Sequence, residues 1–269
     1  MLKIDHPLFP YYRFERLGAA GGMLHFVSSG SRTLGFPEGE DGAEVRENRR
    51  RLAQAVGFDV RRLVTAQQVH GTHVAVVAGE DAGRGALDRP SRLPQTDALV
   101  TATPGVCLMV LSADCVPVLL FDPVCRVIAA VHAGWRGTAA GIVARTVRTM
   151  QERWGCLPAD ILAGVAPSIG PCCFEVGEEV AQVFRALHPG NPEVVLPARG
   201  AGKSRVDLWA SNRLQLLAAG LQPDHIEVAG CCSMCHPDAF FSYRRQGQAA
   251  GRFGAGIVLL PDVEPLNRM

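Results

Sequence analysis

Residues 116–121 (Val-Pro-Val-Leu-Leu-Phe) and 127–131 (Val-Ile-Ala-Ala-Val) are two unbroken apolar runs, with Asp122-Pro123 between them. Runs this short and this apolar read as strands buried on both faces, and Asp-Pro reads as the turn that joins them. The first run starts directly after Asp114-Cys115. The second ends on His132, followed by Ala133-Gly134-Trp135-Arg136-Gly137. Pairing the runs as a hairpin brings a thiol and an imidazole to one end of a sheet, beside a glycine corner and an arginine.

The 269 residues suffice for one sizeable core or two small ones. With 48% hydrophobic and 20% charged residues, the chain has the make-up of a globular protein. A formal charge of +1 and the lack of a basic block or acidic tail give no reason to expect nucleic acid or a membrane surface as partner. The triplet Arg49-Arg50-Arg51 fits a solvated helix face. The start lacks the apolar stretch of a signal peptide, and no run is long enough to span a bilayer, so a cytoplasmic location is expected. The nine cysteines are then expected as reduced thiols, and their odd number argues against a complete disulfide framework.

Along the chain, residues 1–42 carry the weakest pattern. Residues 44–56 predict an amphipathic helix ending at Gly57. Strands are expected at 63–69, 73–77, 98–101, 106–111, 161–166, 226–229 and 256–260. Helices are expected at 138–154, 178–187 and 208–219, the last capped by Asp207. Residues 79–95 read as a mobile surface loop and 188–203 as a proline-rich loop. No linker or repeat interrupts the pattern. The expectation is a single α+β domain over 1–269, with 1–42 its least defined portion.

Cys115 and His132 leave two chemistries open. The thiolate can be a nucleophile activated by the imidazole. Alternatively, both are metal ligands with His70 as the third, a Cys/His/His set that suits zinc and leaves one coordination position for water or substrate. Read alone, the segment 67–73 (Gln-Gln-Val-His-Gly-Thr-His) is a turn with two exposed histidines. The glycine corner before residue 138 suggests an anion site using Arg136 and a helix start, with Arg244 as a second cationic grip. Cys232 and Cys235 have Cys-x-x-Cys spacing, but structural zinc wants a second spaced pair, and Cys172-Cys173 are adjacent. The loop is therefore expected to pack against the site and present Ser233 or backbone amides to a ligand. Whether Cys231, Cys232 and Cys235 hold a second metal is left open.

Several segments together resemble one family, the YfiH-type laccase-domain proteins, long described as multicopper polyphenol oxidases and later as purine nucleoside phosphorylases. They are Gln67-Gln68-Val69-His70-Gly71, Thr96-Asp97-Ala98, Ala113-Asp114-Cys115-Val116-Pro117, Val131-His132-Ala133-Gly134-Trp135-Arg136-Gly137, Ile169-Gly170-Pro171-Cys172-Cys173-Phe174-Glu175-Val176 and Phe241-Ser242-Tyr243-Arg244-Arg245. The resemblance implies a β-sandwich-like core of mixed sheets flanked by helices, in α/β/β/α layers. It also implies a catalytic zinc on His70, Cys115 and His132. The implied activity is phosphorolysis of adenosine, inosine, guanosine and S-methyl-5′-thioadenosine, with inorganic phosphate as co-substrate, plus deamination of adenosine. For proton transfer the candidates are Asp114 and Glu175; for substrate binding, Arg136, Ser233 and Arg244. The segment 26–36 departs from the family's Thr-Arg-x-Gly-Gly-Val-Ser pattern, which bears on specificity.

The alternatives are a laccase-like copper oxidase, a Cys-His amidohydrolase and a non-catalytic nucleotide-binding or redox-partner module. Type 1 copper wants an axial Met, and further coppers want many more histidines than eight scattered ones. A monomer is expected.

Overall fold

The structure, a computed structural model, describes residues 1–37, 41–198, 200 and 202–261; the domain expected over 1–269 thus includes 262–269, outside the described residues. In chain order the strands are β1 (Leu2–Ile4), β2 (Tyr11–Arg13), β3 (Met23–Ser28), β4 (Leu63–Val64), β5 (Val74–Val76), β6 (Ala98–Thr101), β7 (Cys107–Ser112), β8 (Val116–Asp122), β9 (Val127–Ala133), β10 (Leu162–Val165), β11 (Glu175–Gly177), β12 (Val195–Pro197), β13 (Lys203–Val206), β14 (Ile226–Val228) and β15 (Phe253–Leu259). The helices are α1 (Glu15–Ala20), α2 (Ala43–Val56), α3 (Trp135–Ala139), α4 (Ile142–Trp154), α5 (Glu178–Leu187), α6 (Leu208–Ala218) and α7 (Tyr243–Gln246).

One sheet has the order β1-β2-β3-β15-β7-β4, and a second β14-β10-β8-β9-β6-β5; β11-β13-β12 form a small third sheet. The hairpin read from the sequence is β8 and β9, antiparallel from Val116↔Ala133 to Asp122↔Val127. Asp122 makes its turn by accepting the amides of Val124 and Cys125, both at 2.8 Å. Alternate residues of the pair serve two cores. Val116, Val118, Leu120, Val127, Ala129 and Val131 pack with Ile142, Val143, Val147 and Met150 of α4. Leu119, Phe121, Ile128 and Ala130 face Leu108, Val110, Ala255 and Ile257 of the other sheet. A third core puts Phe26, Met109 and Val258 against Leu52 of α2. The layers are helix, sheet, sheet, helix. Strands buried on both faces need apolar side chains at every position, which is why β8 and β9 lack alternation.

Several expected elements take another form. The strand expected at 63–69 pairs only at Leu63–Val64. Further on, the Gln68 side chain bonds both main-chain groups of Leu111, at 2.7 and 2.8 Å, and stands in for a strand residue. The helix expected at 138–154 is two helices, parted where Gly141 adopts φ +78°. Arg49 is not on a solvated face: it is buried and donates to the carbonyls of Leu34, Gly85 and Ala86. Those bonds, with buried Ala86 and Leu93, pack the 79–95 segment onto the body rather than leaving it a mobile loop. The 188–203 loop contains β12 and the start of β13, though 199 and 201 lie outside the described residues. Residues 1–42 supply β1 to β3 and α1. No helix among the described residues is long and apolar enough to cross a membrane.

Four connections pass from one large sheet to the other: 65–73, 102–106, 113–115 and 229–252. They supply most of the site.

Candidate metal centre

Cys115 ends the 113–115 connection, directly before β8. His132 is the penultimate residue of β9, opposite Pro117. His70 comes from the first connection, and Asp97, at the start of β6, brings it in. The Asp97 carboxylate accepts the amides of Val69 at 3.2 Å, His70 at 3.0 Å and Gly71 at 2.8 Å. Wrapping three successive amides around one carboxylate bends the chain into a nest, and His70 takes φ +62° within it. Asp97 Oδ1 also lies 2.8 Å from His132 Nδ1. Burial works to raise the Asp97 pKa, yet His132 and the amides outweigh it and hold it below the ordinary value. An ionised carboxylate only accepts, so Nδ1 carries the proton and Nε2 faces Cys115.

The donor atoms of His70, Cys115 and His132 lie within 4.8 Å of one another. The two imidazoles meet edge to face, with centroids 5.0 Å apart. Burial opposes ionisation of Cys115, but the neighbouring His132 and His70 prevail and bring its pKa down to about 6. Burial likewise opposes charge on His132, while the Cys115 thiolate and Asp97 bring it up to about 9. The site thus holds a thiolate and two imidazoles, one of them oriented by a carboxylate as metal-ligating histidines usually are. Gly134 leaves room for them: a Cβ there would stand 2.8 Å from His70 Cδ2 and 3.1 Å from Cys115 Sγ. The donor set and its clearance fit a zinc ion with an open position.

The three donors line a cavity of about 580 Å³, together with Phe36, Arg92, Asp114, Phe174, Tyr243, Arg244 and Arg252. Gly35 and Phe36 belong to the segment that departs from the family pattern, so that departure lies at the cavity wall.

The other residues singled out from the sequence fall in different places. Asp114 lines the cavity at φ +101°; its Oδ1 accepts from Ser233 Oγ and its Oδ2 from the Arg244 amide, both at 2.6 Å. Ser233 is fully buried and spends its hydroxyl on Asp114, so it does not line the cavity as a substrate contact would. Arg244 does line it, with its guanidinium 5.5 Å from the Phe174 ring and bonded to the carbonyls of Cys173 and Glu175. Arg136 is exposed outside the lining, its guanidinium over the Trp135 ring. The expected anion corner is therefore a clearance for the ligands, because Gly134 faces His70 and Cys115. Glu175 is exposed on β11 beside Cys172 and Arg205, not in the cavity. Asp97 escaped the reading as a site residue. The signal was an acidic residue at the start of an apolar strand, where an unpaired carboxylate is costly. Arg92 and Arg252 carry no spacing that marks them, while Phe36, Phe174 and Tyr243 stood in segments singled out from the sequence without a role assigned to them.

Comparison with known proteins agrees with this picture. The model of the family described as multi-copper polyphenol oxidoreductase laccase matches residues 20–260. The purine nucleoside phosphorylase YlmD of Geobacillus stearothermophilus is 41% identical over 229 residues, spanning 84% of this chain and 83% of that protein. The adenosine deaminase RL5 of an unknown prokaryotic organism is 38% identical over 219 residues, spanning 81% and 83%. Among solved structures, the hypothetical protein YfiH of Bacillus licheniformis superposes with a TM-score of 0.88 at 31% identity, over 95% of this chain and 97% of that one.

Proposed function

Since the chain belongs to the multi-copper polyphenol oxidoreductase laccase family, we propose that it is a zinc-dependent purine nucleoside phosphorylase with adenosine deaminase activity. The observation that carries this reading is the meeting of His70, Cys115 and His132 at one wall of a cavity with cationic and aromatic sides. Its relatives named as purine nucleoside phosphorylase and adenosine deaminase support purine nucleosides as the substrate class; adenosine, inosine, guanosine and S-methyl-5′-thioadenosine are the members that the family resemblance implies.

His70, Cys115 and His132 would hold the zinc, which would supply Lewis acidity to the reaction. In phosphorolysis a phosphate oxygen attacks C1′ as the bond from C1′ to the purine nitrogen breaks, and the base leaves with a proton. Arg244, Arg92 and Arg252 bring positive charge to the phosphate. Phe36, Phe174 and Tyr243 offer apolar faces to the purine. In deamination, water adds at C6 and ammonia departs. Asp114 is the one carboxylate among the described lining residues and so takes the place of Glu175 as the proton carrier. Its two oxygens each accept one bond already and retain a lone pair for a proton in transit. A monomer in the cytoplasm, where nine free thiols stay reduced, completes the reading.

The experiment is to measure zinc in purified protein and to follow adenosine with and without phosphate. Phosphate-dependent adenine release that is lost in His70→Ala and Cys115→Ala supports the proposal; unchanged turnover after full loss of zinc sinks the metal role. One observation favours a second reading. Cys115, His132 and Asp97 form a thiolate, imidazole and carboxylate series, the arrangement of a cysteine nucleophile. Stoichiometric alkylation of Cys115 in the metal-loaded protein favours that amidohydrolase. Copper chemistry has less support, since among the described residues no methionine lines the cavity and only two of the eight histidines join the donor group.

A further inference from the structure

On the far side of the loops that wall the cavity, four cysteines converge. Cys172 and Cys173 sit on the turn after Ile169, and Cys232 and Cys235 on the 229–252 connection. Their sulfurs all lie within 4.8 Å of one another, and none belongs to the His70, Cys115 and His132 group. Cys235 Sγ is 3.6 Å from Cys172 Sγ and 3.4 Å from Cys173 Sγ. A tetrahedral zinc with bonds of about 2.3 Å sets its four sulfurs about 3.8 Å apart. A disulfide needs about 2.05 Å and takes only two of them. The adjacency of Cys172 and Cys173 made them a poor second pair on paper. In the fold, the amides of Cys173 and Phe174 both bond the Gly170 carbonyl at 2.9 Å, and this tight turn brings both sulfurs to Cys235.

One of the four sulfurs already has donors around it. Cys232, the buried member, accepts the Gly170 amide at 3.2 Å, and the amides of Met234 and Cys235 also act on its sulfur. Such donors offset thiolate charge around a metal. Four thiolates and one divalent cation leave a net negative charge, and two guanidiniums stand against it. Arg244 bonds the Cys173 carbonyl, and Arg245 those of Ser233 and Met234.

We propose that Cys172, Cys173, Cys232 and Cys235 form a second, structural zinc site of tetrathiolate type. It clamps the 168–175 loop to the 231–236 loop, which otherwise meet through the Ser168 and Ser233 backbone. These loops carry Phe174 of the cavity wall and Ser233, the partner of Asp114. The clamp therefore steadies the cavity without touching the first metal.

Metal analysis of the full chain tests this. Wild type should carry about two zinc per chain, and both His70→Ala/Cys115→Ala and Cys232→Ser/Cys235→Ser about one. Cobalt loaded into the His70→Ala/Cys115→Ala protein should give the intense sulfur charge-transfer bands of four thiolates. Should the serine variant fail to fold, alkylation of wild type with mass mapping decides. The four cysteines should resist until a chelator is added and then react together. A His70→Ala/Cys115→Ala protein without metal overturns the proposal. So does a mass lower by about 2 Da that maps to a disulfide among the four. Because phosphorolysis is assayed at the other site, loss of one activity or one metal distinguishes failure of this proposal from failure of the phosphorylase reading.

Discussion

Asp97 is the residue on which the site turns, because one carboxylate shapes the His70 turn and aims His132. Asp97→Asn keeps the size but loses the charge, and should lower zinc affinity by about 10- to 100-fold, read by competition with a chelating dye. Gly134→Ala should also weaken the metal, since the added methyl meets His70 and Cys115, while the melting temperature of the metal-free protein falls little. Cys115 and His132 carry a pH signature in the metal-free protein. The Cys115 pKa is depressed from 9.0 to about 6, so its contribution to stability is complete above 9.0 and is lost as pH falls through 6. That of His132 is raised from 6.5 to about 9, so its contribution is complete below 6.5 and is lost as pH rises through 9. Alkylation of Cys115 in metal-free protein should therefore rise with a midpoint near 6, where an ordinary cysteine shows one near 9.0. The closeness of Cys115 and His132 was legible in the sequence because both lie at ends of the β8–β9 hairpin, while His70, in a connection, carried no such signal of its own. The roles of Glu175, Ser233 and Arg136 were not legible, because side-chain direction in connections has no period to read.

Several elements with two buried faces or an amphipathic face could be read closely, though the buried β15 begins at Phe253, ahead of the expected 256. Helix α5 is where its pattern places it, and α6 starts at Asp207, which accepts the Ala210 amide at 2.9 Å. What escaped were elements held by side chains: the Gln68 substitute for a strand, and the buried Arg49 that fastens 79–95 to α2. The amino-terminal strands also gave little signal, since β1 is short and largely exposed at a sheet edge. One bond there predicts a measurable response. His25 of β3 accepts the Phe14 amide on Nε2 at 2.8 Å and so ties the start of α1 to the sheet. Burial, then Arg13, brings the His25 pKa down to about 4. A histidine with a depressed pKa loses stability as pH falls from 6.5 toward 4, here on the order of 3 kcal/mol. Thermal melts across that range should show the loss in wild type and a flatter profile in His25→Gln.

Across the whole molecule, function gathers where the chain changes sheets. The connections 65–73, 113–115 and 229–252 bring His70, Cys115 and Arg244 to one cavity, while β9 supplies His132 from a fixed register. The α+β class could be read from the mix of strand and helix patterns along the chain, while its layering was implied by the family resemblance. The crossings themselves could not be read, because nothing local in residues 65–73 tells which sheet receives the next strand. The measurement that bears most directly on the proposed activity is the product balance from adenosine on zinc-loaded protein, before and after chelation. Adenine should appear in step with phosphate consumed and ribose 1-phosphate formed, stop when the metal is removed, and resume when zinc is restored. Adenine released at the same rate without phosphate, or by protein stripped of metal, would contradict it.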